Sequence, residues 1–275
     1  MINNLALSKI KNEGKFMKKL HYISGLPRSG TTLLSTVLNQ NPRFSASISG
    51  PAARMVRAIN NEAQAQGGYR TQCPPEKRRE LIINLLNTYY SHSNEVAFDT
   101  NRGWTLMTPL LKDIFPQSKM ICCVRDIPWI LDSFEQLLRK NPYSTSSLYS
   151  SEEAVDVYSR AQALMRPDRT VGFALNSLKQ AAFGGESNMI LMVAYDDLCR
   201  NPDAVMRDIY RFIEEPYFAH NFNDVEASYD EFDQDVGLKG MHKVRKILSH
   251  IVREPILPPD LWHQSDAHSF WKQNQ

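Results

Sequence analysis

The order of apolar and amphipathic segments predicts a single α/β domain, a parallel sheet flanked by helices. Two observations carry this expectation. Short apolar runs of strand length alternate with longer amphipathic stretches from residue 19 to about residue 214, as βαβ units require. The chain's 275 residues, 42% hydrophobic and 23% charged, are enough for one large core and match folded rather than extended proteins.

From Met17 onward the elements follow in order. "KLHYISG" (19–25) reads as a strand running into a loop and then a helix that ends near Asn39. "RFSASISG" is a second strand candidate, and "PAARMVRAINNEAQAQ" after it is helical. "GGYRTQCPP" breaks the pattern. "PEKRRELIINLLNTYYSHS" is helical, with Leu81, Leu85 and Leu86 on one face. "EVAFD" is the third strand, "TLMTPLLKDIF" a helix, "SKMICCV" the fourth strand. "IPWILDSFEQLLRK" is a helix with proline near its first turn. Two helical stretches, roughly 152–166 and 168–183, precede the strand "NMILMVA". "NPDAVMRDIYRFI" follows as a helix with Asn201 at its cap position. From about residue 216 the chain is richer in Asp, Gly and Pro, and an irregular C-terminal segment is expected. Residues 1–16 are expected to be a flexible tail preceding the domain of residues 17–275.

Charge narrows the function classes. Net charge is +2, from 32 basic and 30 acidic side chains, so bulk electrostatics give no support to nucleic acid as a partner. Anion specificity has to come from a few placed residues. Cys73, Cys122, Cys123 and Cys199 include no C-x-x-C pair and read as free thiols rather than a zinc site or disulfide frame. Adjacent in a strand, Cys122 and Cys123 should face opposite ways. No apolar run reaches the length of a membrane span, and the first twenty residues lack the apolar core of a signal peptide. A cytoplasmic protein is expected.

"GLPRSGTT" (Gly25 to Thr32) joins the first strand to the first helix. It keeps the Gly-x-x-x-x-Gly spacing of a P-loop, but Thr31 stands where an ATP-binding loop has lysine. The sheet is therefore expected to be of the P-loop type, with ligands at the carboxyl ends of its strands. Backbone N–H groups and the helix dipole would face an anion there. Gly30 permits close approach, and the hydroxyls of Ser29, Thr31 and Thr32 can donate to it. A second constellation is "CVRDIPWILDSFEQ". Arg125 ends a buried strand and Ser133 lies two helical turns on, so a guanidinium and a hydroxyl can share one phosphate. Taken alone, Arg125 also suits a surface ion pair with Asp126.

Together these segments resemble the PAPS-dependent sulfotransferases, and the tyrosylprotein-type branch most, whose loop also carries Pro-Arg-Ser-Gly-Thr-Thr. "VRDIPWILDSF" and the intervening "FDTNRGWTLMTPLLKDIFPQSKMICCVRD" fit the same pattern, as does "AYDDLCRNPDAVMRDIYRFI", which brings Tyr195 to the site. The resemblance covers about residues 19 to 214. It implies that the loop from Pro27 to Thr32 holds the 5′-phosphosulfate of 3′-phosphoadenosine-5′-phosphosulfate (PAPS). It further implies that Arg125 and Ser133 hold the 3′-phosphate, and that Arg28 neutralises the leaving oxygen. No metal is implied. The expected partner is an acceptor hydroxyl on a small molecule, carbohydrate or peptide, and the products are the sulfated acceptor and PAP. "VGLKGMHKVRK" (236–246) resembles a basic loop folded over the cofactor, with Lys239 and Lys243 as contacts; a solvated basic patch is the other reading.

The chain also departs from the branch. Where the family has Gly and then acidic residues, this chain has Gly50, Pro51, Ala52 and Ala53; Arg54 again matches. The family's lysine after the third strand aligns with Thr100, and Arg102 is the candidate to supply that charge. Asp99 ends the strand and is the candidate carboxylate base, or else a cap for the "RGWTLM" helix. His92 and His242 lie in segments able to approach the site, and neither is assigned a role. An ATP-dependent kinase and a PAP-binding module without catalysis stay open as alternatives.

Overall fold

The computed structural model describes residues 19–64, 69–143 and 146–274; the expected tail of residues 1–16 lies outside them. Five strands form one sheet: β1 (Lys19–Gly25), β2 (Phe44–Ala46), β3 (Val96–Thr100), β4 (Met120–Val124) and β5 (Ile190–Ala194). Their order is β2-β3-β1-β4-β5, and every pairing is parallel. β1 is central, with Tyr22 opposite Asp99 on one side and Met120 on the other. A strand covered on both faces has no polar side to show, and β1, β3 and β4 are buried nearly throughout.

Helices cover both faces. They are α1 (Thr31–Leu38), α2 (Ala52–Gln64), α3 (Tyr69–Gln72), α4 (Pro75–Tyr89), α5 (Thr108–Ile114) and α6 (Ile127–Lys140) in the first half. The second half adds α7 (Val157–Met165), α8 (Thr170–Ala182), α9 (Tyr195–Arg200), α10 (Pro202–Phe212), α11 (Asp230–Val236) and α12 (Pro259–Asp266). The two apolar clusters divide along the pleat: Cys122 packs in one with Tyr22 and Trp104, Cys123 in the other with Ile23 and Phe98.

Three local expectations change. The buried face of α4 is Ile82 and Leu86, spaced i, i+4, while Leu81 is exposed. The "TLMTPLLKDIF" helix is broken into a 3₁₀ turn, Arg102–Met107, and α5, because Pro109 fits only in a first helical turn. Asn201 starts α10 without a side-chain cap, since it also terminates α9, its N–H donating to the Asp197 carbonyl. The last sixty residues are less irregular than expected. Residues 222–227 and 244–248 lie antiparallel, with Val225 N–H donating to Lys246 O and Leu248 N–H to Phe222 O. Val225, Val244 and Leu248 are buried against the second cluster, which ties the tail to the domain.

The core also holds a titratable group. His21 on β1 is buried; its Nδ1 accepts the Lys119 N–H at 3.0 Å, and Nε2 has no hydrogen-bond partner among the described residues. Burial first, then the positive charge of Lys19, lowers its pKa to about 4. A depressed imidazole stabilises the fold fully above the unfolded value near 6.5, and that stability is lost as pH falls toward the folded value. Urea unfolding should therefore show a loss on the order of 1–2 kcal/mol from this group between pH 7 and pH 5. His21→Gln should flatten that slope, and an unchanged slope would show that other groups set it.

Candidate active site

The carboxyl ends of β1, β3, β4 and β5 open into one cavity of about 700 Å³, at the point where the chain changes direction across the sheet. Ser24, Thr100, Arg125 and Tyr195, each at or next to a strand end, line it. Two glycines shape the loop after β1. A Cβ on Gly25, which has φ +109°, would lie 2.1 Å from the Cys123 carbonyl oxygen. A Cβ on Gly30, φ +94°, would meet the Tyr195 ring at 2.8 Å. The chain thus crosses tightly over β4 and turns into α1 with no room for a side chain at either place.

The loop's side chains divide the work. The Ser29 hydroxyl points inward, within 2.6 Å of the Leu26 carbonyl and 2.9 Å of the Cys123 carbonyl. It is fully buried, so the expectation of a hydroxyl donated to an anion fails for Ser29; its role is to hold the turn. Pro27, Gly30, Thr31 and Thr32 do line the cavity. The Thr31 and Thr32 hydroxyls have no hydrogen-bond partner among the described residues, and the first turn of α1 has neither an acidic residue nor a side-chain cap. That helix end is open to an anion.

Arg28 adopts a left-handed backbone, φ +59°, and bonds to three other parts of the chain, two through its side chain and one through its carbonyl. Its Nε donates to Ser133 Oγ at 3.1 Å, its Nη1 donates to the Met241 carbonyl, and its own carbonyl accepts from Arg125 Nη1 at 3.4 Å. Burial, then the neighbouring Arg125 charge, brings its pKa down to about 10. Ser133 and Arg125 do converge, but on Arg28, and the Ser133 hydroxyl is turned to Arg28 rather than lining the cavity. Arg125 lies 4.4 Å over the Tyr195 ring, with a buried, unpartnered Nε. The Asp126 carboxylate pairs with Lys272 at 2.8 Å, so Arg125 is left for the cavity.

Asp99 is corrected. It is fully buried and does not line the cavity. Trp104 Nε1 donates to one carboxylate oxygen at 2.5 Å and the Tyr90 hydroxyl to the other. Burial raises its pKa in spite of these bonds. The adjacent Gly50 has no side chain for the same reason, since a Cβ there would lie 2.3 Å from Asp99 Oδ2. Nor does Asp99 cap the following turn; Asn101 does, its side chain accepting the Gly103 N–H at 2.9 Å. Arg102, by contrast, lines the cavity with its guanidinium unpaired among the described residues, and burial lowers its pKa. Thr100 hydrogen-bonds Ser35 at 3.1 Å.

The tail completes the wall. Met241 to Arg245 and Ile247 to Ser249 line the cavity, so this segment is part of its wall. Lys243 lines the cavity. Lys239 does not: it is exposed at a turn between buried Leu238 and left-handed Gly240, and faces away. His92 is exposed beyond α4, also outside the cavity. Sequence reading missed Arg57 and Arg245, which line the cavity, and left His242 without a role. The i, i+3 spacing of Arg54 and Arg57 on an otherwise alanine-rich first turn was the available signal for α2. In all, the lining holds six arginines and a lysine and no Asp or Glu. Among the described residues, no three His, Cys, Asp or Glu side chains gather as metal ligands.

Comparison with known proteins agrees with this architecture. The chain is 22% identical over 242 residues to protein-tyrosine sulfotransferase 1 of Danio rerio, covering 85% of this chain and 62% of that one. It is 24% identical over 245 residues to protein-tyrosine sulfotransferase A of Caenorhabditis elegans, covering 81% of this chain and 60% of that one. The chain thus spans under two thirds of the length of these curated relatives. The sulfotransferase domain of the Synechococcus PCC 7002 olefin synthase shares the fold, with a TM-score of 0.50 and 20% identity over 94% of this chain and 96% of that one. A family model described as the sulfotransferase family matches residues 22–219, well over half of the chain, and the chain belongs to that family.

Proposed function

We propose that this protein transfers a sulfuryl group from PAPS to an acceptor hydroxyl and releases PAP. The observation that carries the reading is a cavity with an open helix N-terminus and a ring of cations, and no carboxylate to oppose an anion. The donor has a phosphosulfate at one end and a phosphate at the other, and the residues fit both. The backbone of residues 27–32 with the Thr31 and Thr32 hydroxyls suits the phosphosulfate. Arg125, with its unpartnered Nε, suits the 3′-phosphate, and Tyr195 offers a ring beside it. Lys243 and Arg245 close on the same space from the tail.

In such a transfer the acceptor oxygen attacks sulfur while the bond from sulfur to the bridging oxygen breaks. Arg28 and Arg102 are the groups of this chain able to meet the charge that develops there. Kinase chemistry is less well supported: Thr31 replaces the P-loop lysine, and the lining offers no carboxylate for a magnesium ion. Arg54 and Arg57, a turn apart on α2, add positive charge to the cavity away from the loop after β1. The four free cysteines suit a reducing compartment such as the cytoplasm.

Turnover of labelled PAPS with a panel of phenols, alcohols and sugars tests the proposal; PAP binding without any turnover would leave a binding module instead. Arg125→Ala should weaken PAP by about 2 kcal/mol, the scale of a charged hydrogen-bond pair, as read by calorimetry. Arg28→Ala should slow single-turnover transfer by about a hundredfold, with a smaller loss of PAPS affinity. Normal transfer at saturation would reduce Arg28 to a clamp. Asp99→Asn should behave oppositely. It should lower the melting temperature, at a cost of about 1–3 kcal/mol for disturbed buried hydrogen bonds, while folded molecules keep their PAP affinity and rate.

A further inference from the structure

A hydroxyl that attacks sulfur has to lose its proton, and no carboxylate lines the cavity to take it. Asp99, the carboxylate nearest in sequence to the strand ends, is sealed beneath Trp104 and Tyr90. One imidazole does line the cavity, that of His242. It sits one residue after Met241, whose carbonyl accepts from Arg28, so the tail delivers it beside the arginine proposed to meet the leaving oxygen.

The imidazole is held by a built partner. His242 Nδ1 lies 2.8 Å from Oδ1 of Asp233 on α11, a residue only 3% exposed. The same carboxylate accepts the backbone N–H of His242 at 2.9 Å and of Gly240 at 2.7 Å. A carboxylate fixed by backbone donors can only accept from the ring, so Nδ1 is the protonated nitrogen and Nε2 keeps its lone pair. Nε2 has no hydrogen-bond partner among the described residues. Asp233 itself does not line the cavity, and it acts through the ring.

Resting on the sulfuryl-transfer reading, we propose that His242 is the general base for the acceptor hydroxyl and that Asp233 is its positioning residue. The acceptor oxygen forms the new bond to sulfur, and its proton passes to His242 Nε2. The bond from sulfur to the bridging oxygen breaks, and its electron pair leaves on the phosphate of PAP. The imidazolium that forms is stabilised by the Asp233 carboxylate.

The surroundings poise this ring. Asp233 and the Phe232 ring face it from α11, Arg28 from the loop after β1, and Arg102 from the turn after β3. Burial lowers the imidazole pKa, Asp233 opposes that, and the two arginines add to the lowering. The ring is therefore neutral, and able to accept a proton, through neutral pH. As pH falls through its lowered pKa the base is lost, so transfer should fall on the acid side below the ordinary histidine range.

Two measurements test this. In the unliganded protein, nitrogen NMR of labelled histidines should show His242 with Nδ1 protonated and a pKa below 6.5, and Asp233→Asn should lower that pKa further and release the tautomer. A ring protonated on Nε2 at neutral pH would overturn the assignment without any activity being measured. In single-turnover transfer from PAPS, His242→Gln should keep PAP affinity within about threefold and lose about a hundredfold or more in rate. Its acid limb should vanish, and 4-nitrophenol, largely ionised at mildly alkaline pH, should suffer far less there than phenol. An unchanged rate and pH profile, or a parallel loss of PAP affinity, would overturn the role of His242 while leaving sulfuryl transfer intact. Failure of the wild-type protein to bind PAP or turn over PAPS would instead remove the reading on which the role rests.

Discussion

Arg28 is the point from which the site is organised. It occupies a left-handed backbone position, which costs a non-glycine residue about a kcal/mol or more, and its buried guanidinium has no carboxylate partner among the described residues. What compensates is connection. Ser133 on α6, Met241 in the tail and Arg125 at the end of β4 all bond to Arg28, through its side chain or its carbonyl. Segments separated by more than 200 residues are thereby set around one cation. The loop geometry in turn depends on Gly25 lying against the Cys123 carbonyl, so the strand pairing of β1 with β4 fixes where Arg28 begins.

A cavity lined by cations alone is electrostatically costly. Arg28, Arg102 and Arg125 each have a lowered pKa, with burial the first cause, and Arg28 and Arg125 repel each other as well. Carboxylates that would relieve this are turned elsewhere: Asp126 to Lys272, Asp132 to Arg253, Glu135 to Arg139 and Arg160. The fold spends its acidic groups on tying helices and tail together, and leaves the cavity's positive charge to be relieved by a polyanion. In the proposed function that anion is the donor, and its binding would add to the stability of the folded state.

How much of this was legible follows from the range of each interaction. The sheet, the loop and Arg125 at a strand end depend on local patterning, and they are found where the sequence puts them. Ser29 and Thr31 are one hydroxyl type in one loop, yet the first turns inward and the second outward, which depends on where the Cys123 carbonyl lies across the sheet. Asp99 has the residue type and strand position of a base. It is excluded by Tyr90 and Trp104, and nothing in the spacing says which rings will cover it. Lys239 and Lys243 differ by one turn of tail, and only Gly240 and the buried residues on either side of it decide which one faces in.

The tail shows the same limit most clearly, and also its consequence. Without a strong period, residues 216–275 read as irregular, but backbone hydrogen bonds pair 222–227 with 244–248 antiparallel and fix that stretch. A segment anchored on both sides of a turn can carry chemistry that a free loop cannot, because its groups return to the same place. Gly50 is followed by Pro51, Ala52 and Ala53, and a side chain on Gly50 itself would collide with Asp99. None of these four residues carries a side chain able to accept a proton. His242 does line the cavity, and Asp233 behind it on α11 accepts from the His242 backbone N–H, bonds the His242 ring and accepts the Gly240 N–H as well. The inferred base thus lies on the same stretch of tail as Lys243 and Arg245, so one anchored segment places both the cations proposed for the donor and the group proposed to accept the proton.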